Sequence, residues 1–237
     1  MTSTRVLTTL PLLLGGACAS APPVHPASAP EGSAGVAIVR AGDPVLRARA
    51  EELDPARIGT RQVQALFARM IETMRAAPGV GLAAPQIGVP WRVIVLEDGA
   101  ARMAQLTAEE IAERERVTFG PRVIVNPVLT PIGEERARFF EGCLSVPGYV
   151  AVVERALEVE VEGLDERGDP IAWRVRGWPA RILQHEVDHL DGTLYVDRMD
   201  SRSLAASEEA RARYAGRPMR EILQMIESAD ASGSPRR

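Results

Sequence analysis

Cysteine and histidine are scarce in this chain, with 2 Cys and 3 His in 237 residues. Cys18 and His25 fall in a Pro/Ala/Ser-rich leader, so Cys143, His185 and His189 are all that the remainder holds. A single cysteine cannot build a disulfide framework, which excludes the cross-linked class of small secreted domains. Excess basic charge is missing too. The formal net charge is -4 and the isoelectric point is near 5.6, which argues against a nucleic-acid platform. No apolar run is long enough to span a bilayer, and no internal repeat is evident. What is present, 46% hydrophobic and 25% charged residues, is ordinary for a globular protein with length for one sizeable domain and appendages.

The scarce residues converge on one stretch, Gln184-His185-Glu186-Val187-Asp188-His189. Pro179 suits the first turn of a helix and Gly192 the position just past its end, so the spacing predicts a helix over 179–190. Ile182, Leu183, Val187 and Leu190 recur near the helical period and would bury one face. Four residues advance such a helix by slightly more than one turn and about 6 Å, so His185 and His189 project from the same side and can share a cation. Glu186 stands beside that cation rather than on it. A cation on neutral imidazoles lowers the pKa of bound water from 15.7 to roughly 7, and an adjacent glutamate can take and return the proton. The pattern reads as metal-assisted hydrolysis.

Two histidines leave a tetrahedral site one protein ligand short. Cys143 lies in Glu141-Gly142-Cys143-Leu144-Ser145-Val146-Pro147-Gly148. A lone cysteine is more often buried and inert; beside a dication it binds as thiolate and completes a Cys/His/His site with an open fourth position.

Residues 1–33 read as a leader and linker. Arg5, the apolar run over 6–14 and Gly15-Gly16-Ala17-Cys18 resemble a bacterial lipoprotein signal acylated at Cys18, although Leu14 stands four residues before the cysteine instead of three. A disordered extension or an early start codon is the alternative. The catalytic domain is expected over 34–200, with a helical extension and tail over 201–237.

Thr60 is placed to cap a helix reaching about residue 76, where Val63, Leu66, Phe67, Met70, Ile71 and Met74 form a core stripe. Gly79-Val80-Gly81-Leu82-Ala83-Ala84-Pro85-Gln86-Ile87-Gly88 reads as an irregular loop close to a ligand. It is no phosphate loop, because no Lys-Ser/Thr pair follows, while Gln86 offers an amide to a developing oxyanion. Runs over 91–96, 123–126 and 151–161 are strand-like, and 157–161 forms a hairpin with 171–175 through Asp165-Glu166-Arg167-Gly168-Asp169-Pro170. Between Leu96 and Arg122 lies a long charged segment, with 107–116 reading as a short exposed helix; it reads as a solvated insertion, with shaping of substrate access as the alternative, and 208–213 and 218–227 read as surface helices. Hairpin strands around one central helix give an α+β fold with antiparallel sheets packed around a metal-binding helix.

The stretches 79–88, 141–147 and 184–189 together resemble the three signature motifs of the peptide deformylases, in that family's order, and the resemblance covers roughly 36–200. Gly177-Trp178 and Met199-Asp200-Ser201-Arg202 look more like the mitochondrial-type branch. The resemblance implies Cys143, His185 and His189 as metal ligands, Glu186 as general acid/base, and Gln86 with the Leu144 amide as the groups polarising the formyl oxygen. Gly81 would align the substrate backbone. It also implies one divalent metal, generally Fe(II), with Zn, Ni or Co as alternatives; a thiolate and two imidazoles suit several of these. The implied substrate is the formylmethionyl end of nascent peptides near the ribosome exit, with the methionine in an apolar pocket to which Ile182 and Val146 contribute. A monomer working in the cytoplasm is expected, although the leader leaves export open.

One departure touches the peptide track: some members carry an arginine where this chain reads Gly148-Tyr149-Val150-Ala151. Two rival readings stand beside the main one. In a zinc endopeptidase Glu208 would supply the third ligand; in an exported lipoprotein the same fold would serve as a binding module.

Overall fold

The computed structural model describes residues 36–77 and 79–231; the leader and its signal-like pattern lie outside them. Thr60 caps α1 (Arg61–Ala76), its hydroxyl accepting from the Val63 amide at 3.4 Å. The chain continues as β1 (Gly81–Ala83), β2 (Val93–Asp98), α2 (Ala100–Met103), α3 (Ala108–Glu113), β3 (Phe119–Pro131) and β4 (Arg136–Cys143). Then come β5 (Val146–Ala156), β6 (Glu158–Leu164), β7 (Pro170–Arg176), α4 (Trp178–Leu190), β8 (Ala205–Ala206), α5 (Ser207–Tyr214) and α6 (Met219–Ala231). The strands form two antiparallel sheets, one ordered β1-β2-β3-β6-β7 and one β4-β5-β8. The architecture is α+β, as the pattern predicts.

The unbroken run Val93-Ile94-Val95-Leu96 explains the layering. Successive side chains of a strand point to opposite faces, so a fully apolar strand needs cover on both. Val93 and Val95 pack with Leu66, Phe67, Met70 and Met74 of α1, whereas Ile94 and Leu96 pack with Ala180, Leu183 and Leu190 of α4. The larger sheet is thus held between the two helices, and α4 is buried nearly all round. One buried face was expected. The other faces of α4 are buried as well because Arg181, Gln184 and Asp188 all find polar partners there, which removes most of the cost of burying them.

The run over 151–161 is not one strand. It belongs to β5 as far as Ala156 and to β6 from Glu158, in different sheets. The Gln184 amide closes the break, accepting from the Ala156 amide at 2.9 Å and donating to its carbonyl at 2.8 Å. The stretch 79–88 is more ordered than a loop. It contains β1 and a 3-10 turn over Ala84–Ile87, and β1 pairs with β2 from Gly81↔Leu96 to Ala83↔Ile94. The hairpin β6–β7 runs in register from Glu158↔Arg176 to Leu164↔Pro170, with Asp165 Oδ1 accepting from the Arg167 and Asp169 amides in its turn. Helix α3 forms with Thr107 and Glu110 capping reciprocally. Helix α6 is no simple surface helix: Met219, Ile222 and Ile226 pack with Phe139 and Val152 of the smaller sheet.

Candidate metal centre and active site

The site forms where α4 faces the tight turn between β4 and β5. Gly177 starts the helix at a φ of 72°, and a β-carbon there would meet the carbonyl oxygens of Glu115 and Arg114 at 2.7 and 2.8 Å. Glycine is required at that corner. One turn apart near the end of α4, His185 and His189 bring their rings to a centroid separation of 5.1 Å. Cys143, the last residue of β4, pairs with Val146 across a register shift that follows Gly142↔Val150; its Sγ lies 3.3 Å from His189 Nε2. One ligand atom each from Cys143, His185 and His189 lies within 4.8 Å of the others.

Charge around this group favours a cation. Glu141 Oε2 lies 2.9 Å from His185 Nδ1, which leaves Nε2 for the centre and makes the ring a better donor. Burial opposes protonation of His185, but Cys143 and Glu141 outweigh it and hold its pKa well above the usual value. His189, buried and beside His185, is driven well below it. A thiol and two imidazoles converging beside the Glu141 carboxylate are suited to a dication. The donor set is that of a catalytic site with three protein ligands.

Around the ligands, Ser145 and Gln86 hold the sulfur. The Ser145 amide donates to Cys143 Sγ at 3.4 Å, and Gln86 Nε2 reaches Sγ at 3.6 Å and Ser145 Oγ at 3.2 Å. Gln86 Oε1 accepts from the Ala83 amide at 2.9 Å, so the nitrogen faces the centre. Glu186 is 4% exposed, its Oε2 has no hydrogen-bond partner, and burial pushes its pKa up to about 7. Such a carboxyl is poised to take or give a proton near neutral pH. A cleft of about 590 Å³ opens above, and Gly81, Gln86, Cys143, Leu144, His185 and Glu186 all line it, together with Val146 and Ile182. His189 sits beneath, 1% exposed.

Glu141 is the residue that sequence reasoning missed. It is 5% exposed and takes a two-point pair from Arg155 at 2.9 Å each, Arg181 at 2.6 Å, and His185. Arg155 also reaches Asp188, which pairs with Arg198 at 2.9 Å. Its signal was its place after Phe139-Phe140, since a carboxylate in an apolar strand must find partners. The charged segment after β2 also contributes more than a solvated surface, because Arg102 and Arg116 line the cleft. Glu208, in contrast, is exposed in the first turn of α5 and takes no part in the Cys/His/His group, so the endopeptidase reading loses its third ligand.

The family model of the polypeptide deformylases matches residues 36–205. This chain belongs to that family. It is 55% identical over 166 residues to the chloroplastic/mitochondrial peptide deformylase 1A of Arabidopsis thaliana, covering 70% of this chain and 62% of that protein. With peptide deformylase 1 of Streptomyces coelicolor it shares 53% over 174 residues, 72% of this chain and 76% of that one. The chain therefore spans somewhat less than two thirds of the plant relative's length. Among solved structures, the class I type b peptide deformylase of Acinetobacter baumannii with Met-Ala-Ser bound superposes at a TM-score of 0.63 and 32% identity, over 71% of this chain and all of that one. The family is metal-dependent, and Cys143, His185 and His189 form the candidate metal site here. No helix among the described residues is long and apolar enough to cross a membrane.

Proposed function

We propose that this chain is a metal-dependent hydrolase that removes the formyl group from the N-terminal formylmethionine of nascent polypeptides and releases formate. The observation that carries the reading is the buried Glu186 carboxyl, with one oxygen unpartnered, beside three convergent ligands in a cleft of peptide size. Cys143, His185 and His189 would hold the cation, with Fe(II) as the resident metal and Zn, Ni or Co fitting the same donors. When bound, the cation lowers the pKa of water to roughly 7 and polarises the formyl oxygen.

The chain's own residues do the rest. Gln86 Nε2 and the Leu144 amide donate to that oxygen as charge develops on it. Glu186 takes a proton from the attacking water and passes it to the amine nitrogen as the C–N bond breaks, so that formate and a free amino terminus leave. Gly81, buried at the start of β1 and lining the cleft, aligns the peptide backbone. Val146 and Ile182, in the cleft wall, contribute apolar surface for the methionine side chain. Residues 34–200 carry this chemistry, and the protein works as a monomer where formylated chains emerge, in the cytoplasm.

The test uses protein purified without oxygen and loaded with Fe(II), following formate release from a formyl-Met peptide beside the Glu186→Gln variant. Release by the parent alone, with both proteins holding metal, supports the reading. Metal bound in both and formate from neither would remove the assigned substrate.

A further inference from the structure

Arg40, Arg102, Arg116 and Arg181 line the cleft, and they are not equivalent. Arg116 is buried and spent on Asp98 through a two-point pair at 2.6 and 2.9 Å. Arg181 is spent on Glu141. The other two have no carboxylate within ion-pairing distance among the described residues. Arg102 donates only to the Gly79 carbonyl, at 3.2 Å. Arg40 is exposed, and its neighbours fix it at the rim: the Val39 amide donates to the Gln86 carbonyl and the Ala41 amide to the Ser145 carbonyl, each at 2.8 Å.

The two free cations therefore flank the reacting centre, one beside Gln86 and Ser145, the other beside Gly79. A β-carbon on Gly79 would touch Leu144 Cδ1 at 2.9 Å, so the segment leading into β1 and the Cys143 turn form one wall. Carboxylates of the cleft do not offset them. Glu141 is consumed by Arg155, Arg181 and His185, and Glu186 is buried at the centre. The cleft rim is thus locally cationic in a chain whose net charge is -4.

We propose that Arg40 and Arg102 are specificity-determining residues that favour formylated peptides with Asp or Glu in the first two positions after methionine. The proposal rests on the deformylase reading. An extended peptide advances about 3.3 Å per residue, so those two side chains lie within about 7 Å along the chain from the methionine in the cleft. Solvent-exposed ion pairs of this kind are individually modest, and each contributes a preference of roughly two- to fivefold.

The experiment measures kcat/KM for formate release by the Fe(II)-loaded full chain on C-terminally amidated formyl-Met-Asp-Ala, formyl-Met-Asn-Ala and formyl-Met-Lys-Ala, and on the set with the varied residue one position later. The expected result is an Asp-to-Asn ratio of roughly two to five in at least one set, with Lys below Asn. That ratio falls toward one in Arg40→Gln and in Arg40→Gln/Arg102→Gln, and it shrinks in 0.5 M salt as the screening length drops below about 5 Å. Reading the ratio keeps the test sound if loss of Arg102 shifts Gly79. Equal rates for Asp and Asn, a preference for Lys, or an Asp preference that survives in the double variant would each overturn the assignment. Formate from none of the peptides would instead refute the deformylase reading.

Discussion

A β-carbon built on Gly81 would stand 2.2 Å from Glu186 Oε1 and 2.8 Å from its Cγ. Strand β1 and helix α4 therefore meet at a point where one residue must lack a side chain so that the other can hold its carboxyl in the cleft. Gly81 lies in a β-bridge to Leu96 and Glu186 is buried, so neither can move away cheaply. Gly81→Ala is expected to displace the carboxyl by about 1 Å and lower kcat on the order of 10²-fold, with metal content and secondary structure retained. Steady-state kinetics with metal analysis on the same sample checks this. Parent-like kcat would mean that Glu186 does not need its observed position.

The same carboxyl has a cost that pH exposes. Burial raises the Glu186 pKa from the ordinary 4.5 to about 7, so the folded chain binds this proton more tightly than the unfolded chain does. The resulting stability is fully present below about 4.5 and is lost as pH rises through about 7, a swing of about 3 kcal/mol. In the metal-free protein, Glu186→Gln is therefore expected to be more stable than the parent at pH 8 and nearly equal to it at pH 4.5. Denaturant midpoints across that range are the measurement, and a constant difference would contradict the assigned shift.

Glu141 has the opposite sign. Burial alone would raise its pKa, but the hydrogen bonds from Arg155 and His185 outweigh burial and hold it well below the usual carboxylate value of 4.5. Its stability is fully present above pH 4.5 and is lost as pH falls through the depressed folded value. Glu141→Gln leaves Arg181 buried without its carboxylate partner and Arg155 with Asp188 alone, and removing one member of a buried pair costs about 3–5 kcal/mol. Lower stability at pH 7 and a shallower acid limb than the parent are expected from thermal melts. An unchanged neutral-pH midpoint would show that the arginines find other acceptors.

The helical spacing of His185 and His189 made the metal pair legible, because four residues on a helix return to the same side regardless of tertiary context. Cys143 was legible through scarcity. Glu141 was hidden in the same quoted stretch, since the identity of its partners depends on how β4 meets β5 and α4, and no local period carries that. The break at Ala156 was hidden for a related reason. Ala156 and Leu157 are apolar and punctuate nothing, and the group that closes the break, Gln184, lies 28 residues away. Arg102 and Arg116 looked like solvated charges because their segment is rich in charge over 107–116, yet one of them is buried against Asp98 and both line the cleft.

Metal and folding should be linked through one sulfur. Cys143 ends β4 while His185 and His189 sit on α4, so a cation held by all three ties the smaller sheet to the central helix. The unfolded chain offers no such preformed group, and a ligand that binds only the folded state stabilises it by RT ln(1 + [L]/Kd), about 2.7 kcal/mol at a hundredfold excess over Kd. Chelation is therefore expected to lower the melting temperature of the parent by several degrees, and adding Fe(II) or Zn(II) anaerobically to restore it. Cys143→Ala should melt at the same temperature with and without metal, because two imidazoles alone bind far more weakly than the three-ligand set. Thermal melts of both proteins across a metal titration decide the matter. A metal-dependent shift that persists undiminished in Cys143→Ala would place the cation on the histidines without the sulfur.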